Sequence, residues 1–324
     1  MNALVVGLGS IGRRHARTLA KLGLETVVGV DSDGEARARA EADGLVGSAY
    51  DGIACAASHH TDFDLAIIAS PTHLHAEHYL QAQRHVPAVF IEKPLAHTLD
   101  DLSRMLACAR PRDMVACNMR FHPAIAELKR RMGDGAIGAP LYARIRYGQH
   151  LSAWRPGQDY RASYSAFAAK GGGIVLDDIH EIDLAQFLFG TITEISGLAL
   201  RSGALETDAE DIASLTLRTE RGILVSVFMD AVHPLYRREI EVVGAHGAFS
   251  WNESDNLLRF CAHGADGYAF AADFSAYSWE DMYEEELAYF LSTLADRAPS
   301  MNTIAEAAAL LQTVLPWRDG SRRG

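Results

Sequence analysis

The sequence predicts an α/β N-terminal domain built on a doubly wound parallel sheet, followed by an α+β C-terminal domain with a large, mostly antiparallel open sheet. Three observations indicate this fold class. Short runs rich in Val, Ile and Leu alternate with segments of helical period in the first third of the chain. A glycine-rich loop directly follows the first of these runs. After about Phe121 the pattern changes to longer alternating runs with hairpin signals between them.

The elements of the first third alternate between strand and helix. Helical periodicity predicts helices over Ile11–Leu22 and His75–Arg84. Strand, helix and strand in succession imply parallel strands with right-handed crossovers and helices on both faces. The strands are predicted at Ala3–Val6, Thr26–Val30, Leu65–Ala69, Val89–Ile91 and Met114–Cys117.

The rest of the chain predicts a sheet with flanking helices. Predicted helices cover Ile125–Met132, Ile174–Phe189, Trp279–Ala295 and Thr303–Leu315, and a strand covers Leu141–His150. About five strand-like runs follow residue 192, among them Ala213–Arg218, Ile223–Asp230, Arg238–Val243 and Leu257–Cys261. A length of 324 residues favours two domains. We place them at residues 1–120 and 121–324 and expect the second to bind substrate and to oligomerise.

Composition excludes several classes of function. A formal net charge of -12 argues against a general binder of nucleic acid or anionic membranes. The apolar runs are too short to span a bilayer, and no signal-peptide pattern opens the chain. Because the four cysteines form no CxxC pair, we predict neither a disulfide framework nor a zinc ribbon. A reducing cytoplasm fits best.

The loop Gly7-Leu8-Gly9-Ser10-Ile11-Gly12 follows a strand and opens a helix. Its glycines permit a tight turn, a close approach of the backbone to a pyrophosphate, and close packing of helix on strand, while N–H groups at the helix start face the phosphates. Asp31 ends the second strand, 19 residues after Gly12. Its carboxylate can accept hydrogen bonds from ribose hydroxyls and would repel a 2′-phosphate. NAD is therefore favoured over NADP, and a glycine turn without a ligand is the alternative.

NADP is the alternative cofactor, because three arginines lie near the glycine loop and the second strand in sequence. They are Arg13, Arg14 and Arg37.

Three further motifs occur in a characteristic order. Ala69-Ser70-Pro71-Thr72-His73-Leu74-His75 ends one predicted strand, and Glu92-Lys93-Pro94 ends the next. Gly171-Gly172-Gly173 then precedes a helix that carries Asp177, His180 and Asp183. Together with the glycine loop, this order resembles the glucose-fructose oxidoreductase and inositol dehydrogenase family (Gfo/Idh/MocA). The resemblance covers nearly the whole chain.

The resemblance implies a Rossmann domain followed by a domain with an open sheet that carries the substrate site. It implies that Lys93 lies near the nicotinamide and the substrate hydroxyl, that the peptide before Pro94 is often cis, and that His180 acts as acid and base, with Asp177 as the third catalytic residue. It implies a cofactor cleft lined by Ser70, Pro71, Thr72, His75, Glu92 and Asn118, and a place for Arg120 near the nicotinamide end, where we predict that it also binds substrate.

One spacing departs from the family pattern. The pattern usually places an Asp four residues before the histidine, whereas Asp177 lies three residues before His180. On a continuous helix, positions i and i+3 still share a face. Asp183 is the competing partner for the imidazole.

An irregular aromatic stretch before the triple glycine supplies candidate substrate contacts. Trp154, Tyr160 and Tyr164 can stack on sugar faces, and Arg155 can pair with a carboxylate or phosphate. A packed loop or a subunit contact is the alternative. His73, His75 and His78 match no strong metal template, and neither do the acidic residues around His180, so we predict no metal site.

These features predict an oxidoreductase that transfers hydride between NAD and a hydroxyl of a sugar, cyclitol or nucleotide-linked sugar. An NAD-dependent glycosidase that oxidises its sugar transiently is one alternative, and a noncatalytic NAD-binding regulator is another. Because the exposed face of the C-terminal sheet should be too apolar to remain in water, we also expect a homodimer or homotetramer.

Overall fold

The computed structural model describes residues 1–321, which divide into two compact units. The first unit contains Met1–Asn118 and Trp279–Leu311, and the second contains Met119–Ser278 and the chain from Gln312 onward. The inclusion of Trp279–Leu311 in the first unit was not anticipated, because helical periodicity shows that a helix has an apolar face but not what that face packs against.

The first unit is a six-stranded parallel sheet in the order β3-β2-β1-β4-β5-β6. Its strands are β1 (Asn2–Val6), β2 (Thr26–Val30), β3 (Ser48–Tyr50), β4 (Leu65–Ile68), β5 (Val89–Ile91) and β6 (Met114–Val115). Its helices are α1 (Ser10–Lys21), α2 (Gly34–Ala42), α3 (Ile53–His59), α4 (His75–Ala82), α5 (Leu99–Leu106), α9 (Trp279–Asp296) and the start of α10 (Ile304–Ser321). The strand order reverses between β1 and β4, which is the point where open α/β sheets bind their ligands.

The second unit is an eight-stranded sheet in the order β14-β13-β12-β11-β7-β10-β9-β8, antiparallel except for the pair β7 and β10. Its strands are β7 (Pro140–Gly148), β8 (Ile192–Leu200), β9 (Ile212–Thr219), β10 (Leu224–Asp230), β11 (Arg237–Gly244), β12 (Gly247–Asn252), β13 (Leu257–Ala262) and β14 (Ala269–Asp273). Its helices are α6 (Pro123–Gly133), α7 (Ile174–Asp177) and α8 (His180–Phe189).

The core of each unit follows from the side-chain pattern of its strands. β4 and β5 are apolar and buried throughout, and so is β1 apart from the half-buried Asn2, as expected for strands covered on both faces. In the second unit β9 and β10 alternate buried with exposed residues, because only one face of the sheet is covered. The helices α7 and α8 contact β10 on that covered face. Both predicted fold classes are confirmed.

Two local predictions were incomplete. The short strand β3 was not predicted from Ser48–Tyr50, which is only half-buried and lies at the edge of the sheet. The single helix predicted over Ile174–Phe189 is in fact two, because the backbone of Asp178 leaves the helical region (φ -114°, ψ 44°). Within residues 1–321, no helix is both long and apolar enough to cross a membrane.

Candidate active site

The glycine loop of the first unit forms a cradle at the carboxyl end of β1. Gly7 has a φ of +93°, and a Cβ on Gly12 would lie 1.7 Å from the carbonyl oxygen of Gly7, so only glycine permits α1 to pack this closely. A Cβ on Gly9 would meet nothing within 4 Å, and no side chain caps α1 at that residue. Open space above N–H groups at a helix start suits a pyrophosphate, and the predicted loop residues Ser10 and Ile11 begin that helix.

Asp31 is fixed directly beside this loop. Its carboxylate accepts hydrogen bonds from the backbone N–H of Leu8 at 2.7 Å and of Asp33 at 2.9 Å, and Arg37 donates to the Asp31 carbonyl oxygen at 2.7 Å. Each carboxylate oxygen keeps a lone pair for a further donor. The position and the remaining acceptor capacity of Asp31 suit the ribose hydroxyls of NAD.

His75 ties together the loops that follow β4 and β5. Its ring nitrogens lie 2.8 Å from the carbonyl oxygen of Ser70 and 2.9 Å from that of Pro94. Burial lowers the pKa of His75 to about 4, against the weaker opposing effect of these backbone contacts, so the ring is neutral near pH 7. Because both nitrogens face backbone atoms, we interpret His75 as the residue that holds the two loops in register. Its direct contact with a cofactor stays a prediction.

The residues around Lys93 are arranged at the same carboxyl edge of the sheet. The Lys93–Pro94 peptide is cis, which confirms the expectation from the resemblance. Glu92 contacts the Nε2 atom of buried His15 at 2.6 Å. Burial alone would raise the pKa of Glu92, but the hydrogen bond and charge of His15 and the charge of Lys93 outweigh it and lower that pKa. A carboxylate thus lies directly before the predicted catalytic lysine. Pro71 and Thr72 form the turn after β4, and Thr72 is buried.

The second unit places Asp177 and His180 on either side of a break between two helices. α7 ends at Asp177 and α8 begins at His180, so the two residues do not share a helix face as the sequence suggested. Asp177 lies near enough to the Tyr164 hydroxyl for its charge to act on that group. Burial raises the pKa of Tyr164 first, and the negative charge of Asp177 raises it further. The phenol therefore stays protonated beside Asp177.

Arg155 joins the same group of predicted residues. Its guanidinium lies 5.2 Å from the centre of the Tyr164 ring and donates to the hydroxyls of Ser163 at 2.5 Å and Ser165 at 3.4 Å. Within residues 1–321 it forms no ion pair with a carboxylate. Trp154 lies beside it in sequence and donates from its indole to the carbonyl oxygen of Gln149 at 3.1 Å.

Asp183, the competing partner proposed for the imidazole, is engaged elsewhere. Its carboxylate accepts two hydrogen bonds from Arg120, at 2.8 Å and 2.5 Å, and both side chains are buried. This bidentate pair favours Asp177 as the acid associated with His180. It also gives Arg120 a partner within the protein, so its role in substrate binding stays a prediction.

Asn118 and Tyr160 are the remaining predicted binding residues. Asn118 begins the turn after β6 and is buried. Tyr160 accepts a hydrogen bond from the Glu206 N–H at 3.2 Å, in an exposed part of the loop. The structure gives neither a more specific role. Among residues 1–321, no group of three or more His, Cys, Asp or Glu side chains could hold a metal ion.

The triple glycine is held by an arginine from near the other end of the chain. A Cβ on Gly172 would lie 2.5 Å from the carbonyl oxygen of Ser165, so the loop leading to α7 has no room for a side chain. Arg318, buried near the end of α10, donates to the Gly172 carbonyl oxygen and, at 2.7 Å, to the Glu210 carboxylate. The contact spans 146 residues, and no local pattern in the sequence indicates it.

Comparison with known proteins places the fold and the glycine loop in one class, the NAD-binding oxidoreductases. A family model described as an oxidoreductase family with an NAD-binding Rossmann fold matches residues 1–119, and a model of the GFO/IDH/MocA C-terminal domain matches residues 125–250. The chain therefore belongs to the Gfo/Idh/MocA family, as the resemblance predicted. It is an enzyme of an oxidoreductase family that acts on CH–OH groups.

Individual relatives agree with this assignment. Inositol 2-dehydrogenase 2 of Saccharopolyspora erythraea is 31% identical over 298 residues, which cover 89% of this chain and 83% of that protein. D-apiose dehydrogenase of Paraburkholderia graminis is 31% identical over 274 residues, which cover 81% and 70%. Levoglucosan dehydrogenase in complex with NADH superposes with a TM-score of 0.86 at 20% identity, over 100% of this chain and 97% of that one, a likeness that concerns the fold.

Proposed function

We propose that this protein is an NAD-dependent dehydrogenase that oxidises a hydroxyl of a sugar, a cyclitol or a nucleotide-linked sugar. The observation that carries the proposal is the set of motifs at one edge of the parallel sheet. The glycine loop follows β1, Ser70–Thr72 follow β4 and Lys93 follows β5. Because β1, β4 and β5 are neighbours, their carboxyl ends meet where the strand order reverses.

The proposed chemistry assigns one task to each side chain. Bound NAD supplies the hydride acceptor. Lys93 donates a hydrogen bond to the substrate oxygen and stabilises the negative charge that develops on it. His180 accepts the hydroxyl proton through its imidazole. Asp177, which lies beside the Tyr164 hydroxyl, stabilises the resulting imidazolium.

We assign NAD rather than NADP as the cofactor. The support is Asp31, whose carboxylate is fixed beside the glycine loop by two backbone N–H groups. A 2′-phosphate at this place would face a negative charge. Arg13, which could otherwise attract that phosphate, is already paired with Asp43 at 2.5 Å.

The proposed substrate class rests on the relatives and on the loop before the triple glycine. The dehydrogenases named above act on inositol, apiose and levoglucosan. Trp154 and Tyr164 offer ring faces for a sugar, and Arg155 offers a cation without a carboxylate partner within the described chain. We further propose a cytoplasmic location, which agrees with the absence of disulfides among the four cysteines, all within the described residues.

A substrate screen tests the proposal. The purified protein is incubated with NAD and a panel of cyclitols, free sugars and sugar nucleotides, and NADH absorbance is followed. We expect NADH to accumulate with at least one member of the panel. Cleavage of a glycoside without net NADH would instead indicate the transient-oxidation glycosidase. Saturable NAD binding without turnover of any member would indicate a regulator.

We also propose that the second unit's sheet pairs with a second copy of this chain. Its uncovered face exposes apolar side chains on several strands, namely Tyr142, Leu198, Leu224 and Phe228. The same face carries an Arg144–Glu241 pair at 3.5 Å, so a copy related by a two-fold axis can present glutamate to arginine. Light scattering should give a dimer or tetramer for the wild type and smaller particles for Leu198→Asp. A wild-type monomer at micromolar concentration would contradict this proposal.

A further inference from the structure

The helix break beside His180 contains two buried carboxyl groups. Asp178 lies in the break itself, and Glu181 is the second residue of α8, so the two acids flank the predicted catalytic histidine. Asp178 is 5% exposed and Glu181 is 0% exposed. Two adjacent ionised carboxylates without water would repel each other strongly, so their charge must be compensated.

One guanidinium bridges both sides of the break. Arg238 enters from β11, where the alternation of the strand turns its side chain inward. Its Nε donates to Glu181 Oε1 at 2.7 Å, and one terminal nitrogen donates to Asp178 Oδ1 at 3.0 Å. Arg238 is 4% exposed. It therefore cross-links the break to the first turn of α8 from a separate strand.

The remaining carboxyl oxygens have space for a proton but no donor. Asp178 Oδ2 and Glu181 Oε2 are buried, and neither has a hydrogen-bond partner within residues 1–321. Since both groups contact one guanidinium, a proton on either carboxyl group can be donated to the other. Burial raises the pKa of Glu181 well above its ordinary value, and the nearby Asp178 raises it further, against the lowering effect of Arg238. With Glu181 neutral, Asp178 and Arg238 balance in charge.

The two tyrosines and the histidine beside Arg238 add no charge to this group. The Tyr147 ring lies 4.7 Å from the Arg238 guanidinium and the Tyr236 ring lies 5.9 Å from it. Burial raises the pKa of both phenols, so they stay neutral. Burial and then the charge of Arg238 lower the pKa of His122 to about 4, so that ring is also neutral near pH 7.

We propose that Arg238 and a single proton shared by Asp178 and Glu181 form a neutral clamp that fixes the chain on both sides of His180. The three residues are positioning residues. The clamp sets the angle between α7 and α8, and that angle determines how the His180 imidazole is presented relative to Asp177. The positioning role rests on the proposed function of His180, whereas the shared proton does not.

Infrared spectroscopy tests the shared proton without reference to activity. Near neutral pH, the difference between wild type and Glu181→Gln should contain the carbonyl stretch of a protonated carboxylic acid, and that band should shift in D₂O. The band should also be lost in Asp178→Asn, although Glu181 is still present, because Glu181 then becomes the anion that pairs with Arg238. Absence of the band from wild type, or its persistence in Asp178→Asn, would overturn the proposal.

Kinetics tests the positioning role. Glu181→Gln should keep the wild-type kcat and pH profile, because an amide reproduces the neutral acid by donating to Asp178 and accepting from Arg238. Asp178→Asn should also fold, since Glu181 can take over the charge. The double variant leaves the guanidinium without either carboxylate and should lose about a hundredfold in kcat, or fail to fold. Wild-type stability and turnover in the double variant would contradict the clamp.

A conservative pair separates positioning from general packing. Arg238→Lys keeps the charge but cannot bridge two carboxyl groups with fixed geometry, so it should lower kcat with little change in NAD affinity and should shift the pH profile. Arg238→Met should lower kcat further and shift the pH profile further. An unaltered pH profile in Arg238→Lys would contradict the positioning role. If His180→Ala retains turnover while the infrared band is present, the proposed function fails and the shared proton stands.

Discussion

In the first unit, the predicted site residues are held mainly by backbone atoms. The glycine loop packs on its own turn, Asp31 accepts from backbone N–H groups, and His75 contacts two carbonyl oxygens. In the second unit, the segments around His180 and the triple glycine are held by buried ion pairs. The three arginines that are buried in residues 1–321 all belong to this unit, namely Arg120, Arg238 and Arg318, and each contacts a buried carboxylate. Backbone contacts tolerate changes of side-chain charge, whereas buried ion pairs do not.

The largest expected effect comes from breaking one of these pairs. Arg120→Met leaves the buried Asp183 carboxylate without its bidentate partner, and we expect a loss of about 3–5 kcal/mol in the free energy of unfolding. Urea denaturation followed by circular dichroism measures it. Arg130→Met is the matched control, because Arg130 is exposed where it pairs with Glu127 and Asp134, and it should change stability little. Equal stability of the two variants would remove the contrast between the units.

The next largest effect is a loss of folding stability at low pH, and we expect it in both units. The pKa of His75 in the first unit and of His122 in the second is lowered to about 4 from 6.5, chiefly by burial. The unfolded chain therefore binds protons first as the pH falls from 6.5 to 4, and stability is lost in that window, by about 3 kcal/mol for each histidine. Unfolding free energies measured across the window should fall less steeply in His75→Gln and His122→Gln. Unchanged slopes in both variants would contradict neutral buried rings.

The smallest of these effects concerns the cofactor. Asp31→Ser removes the carboxylate proposed for the ribose hydroxyls, and we expect NAD affinity to fall about 10-fold to 100-fold, with a reduced preference over NADP. Titration of protein fluorescence with each dinucleotide measures it. Asp33→Asn is the control, because the new side chain can still cap α2 where Asp33 accepts from the Glu35 N–H. Equal affinities of wild type and Asp31→Ser would exclude the proposed contact.

The same contrast explains what the sequence could predict. The parallel sheet and the turn of the glycine loop depend on neighbouring residues, and local patterns predicted both. The family resemblance implied the cis peptide before Pro94. The role of Asp31 in binding the cofactor stays a prediction. The contacts of Arg238 with Asp178 and Glu181 join residues 60 and 57 positions apart, respectively. The only signal for them was an arginine at an inward position of the predicted strand Arg238–Val243. The break at Asp178 was missed because the segment keeps helical periodicity on both sides of it.

The most direct test of the proposed dehydrogenase compares Lys93→Ala and His180→Ala with wild type on the best substrate from the screen. Each variant should lose about 10²-fold to 10⁴-fold in kcat, because each removes a group that acts on the reacting oxygen or its proton. NAD affinity should remain near the wild-type value, because the glycine loop and Asp31 are untouched. Near-normal turnover in both variants would contradict the proposed catalytic roles.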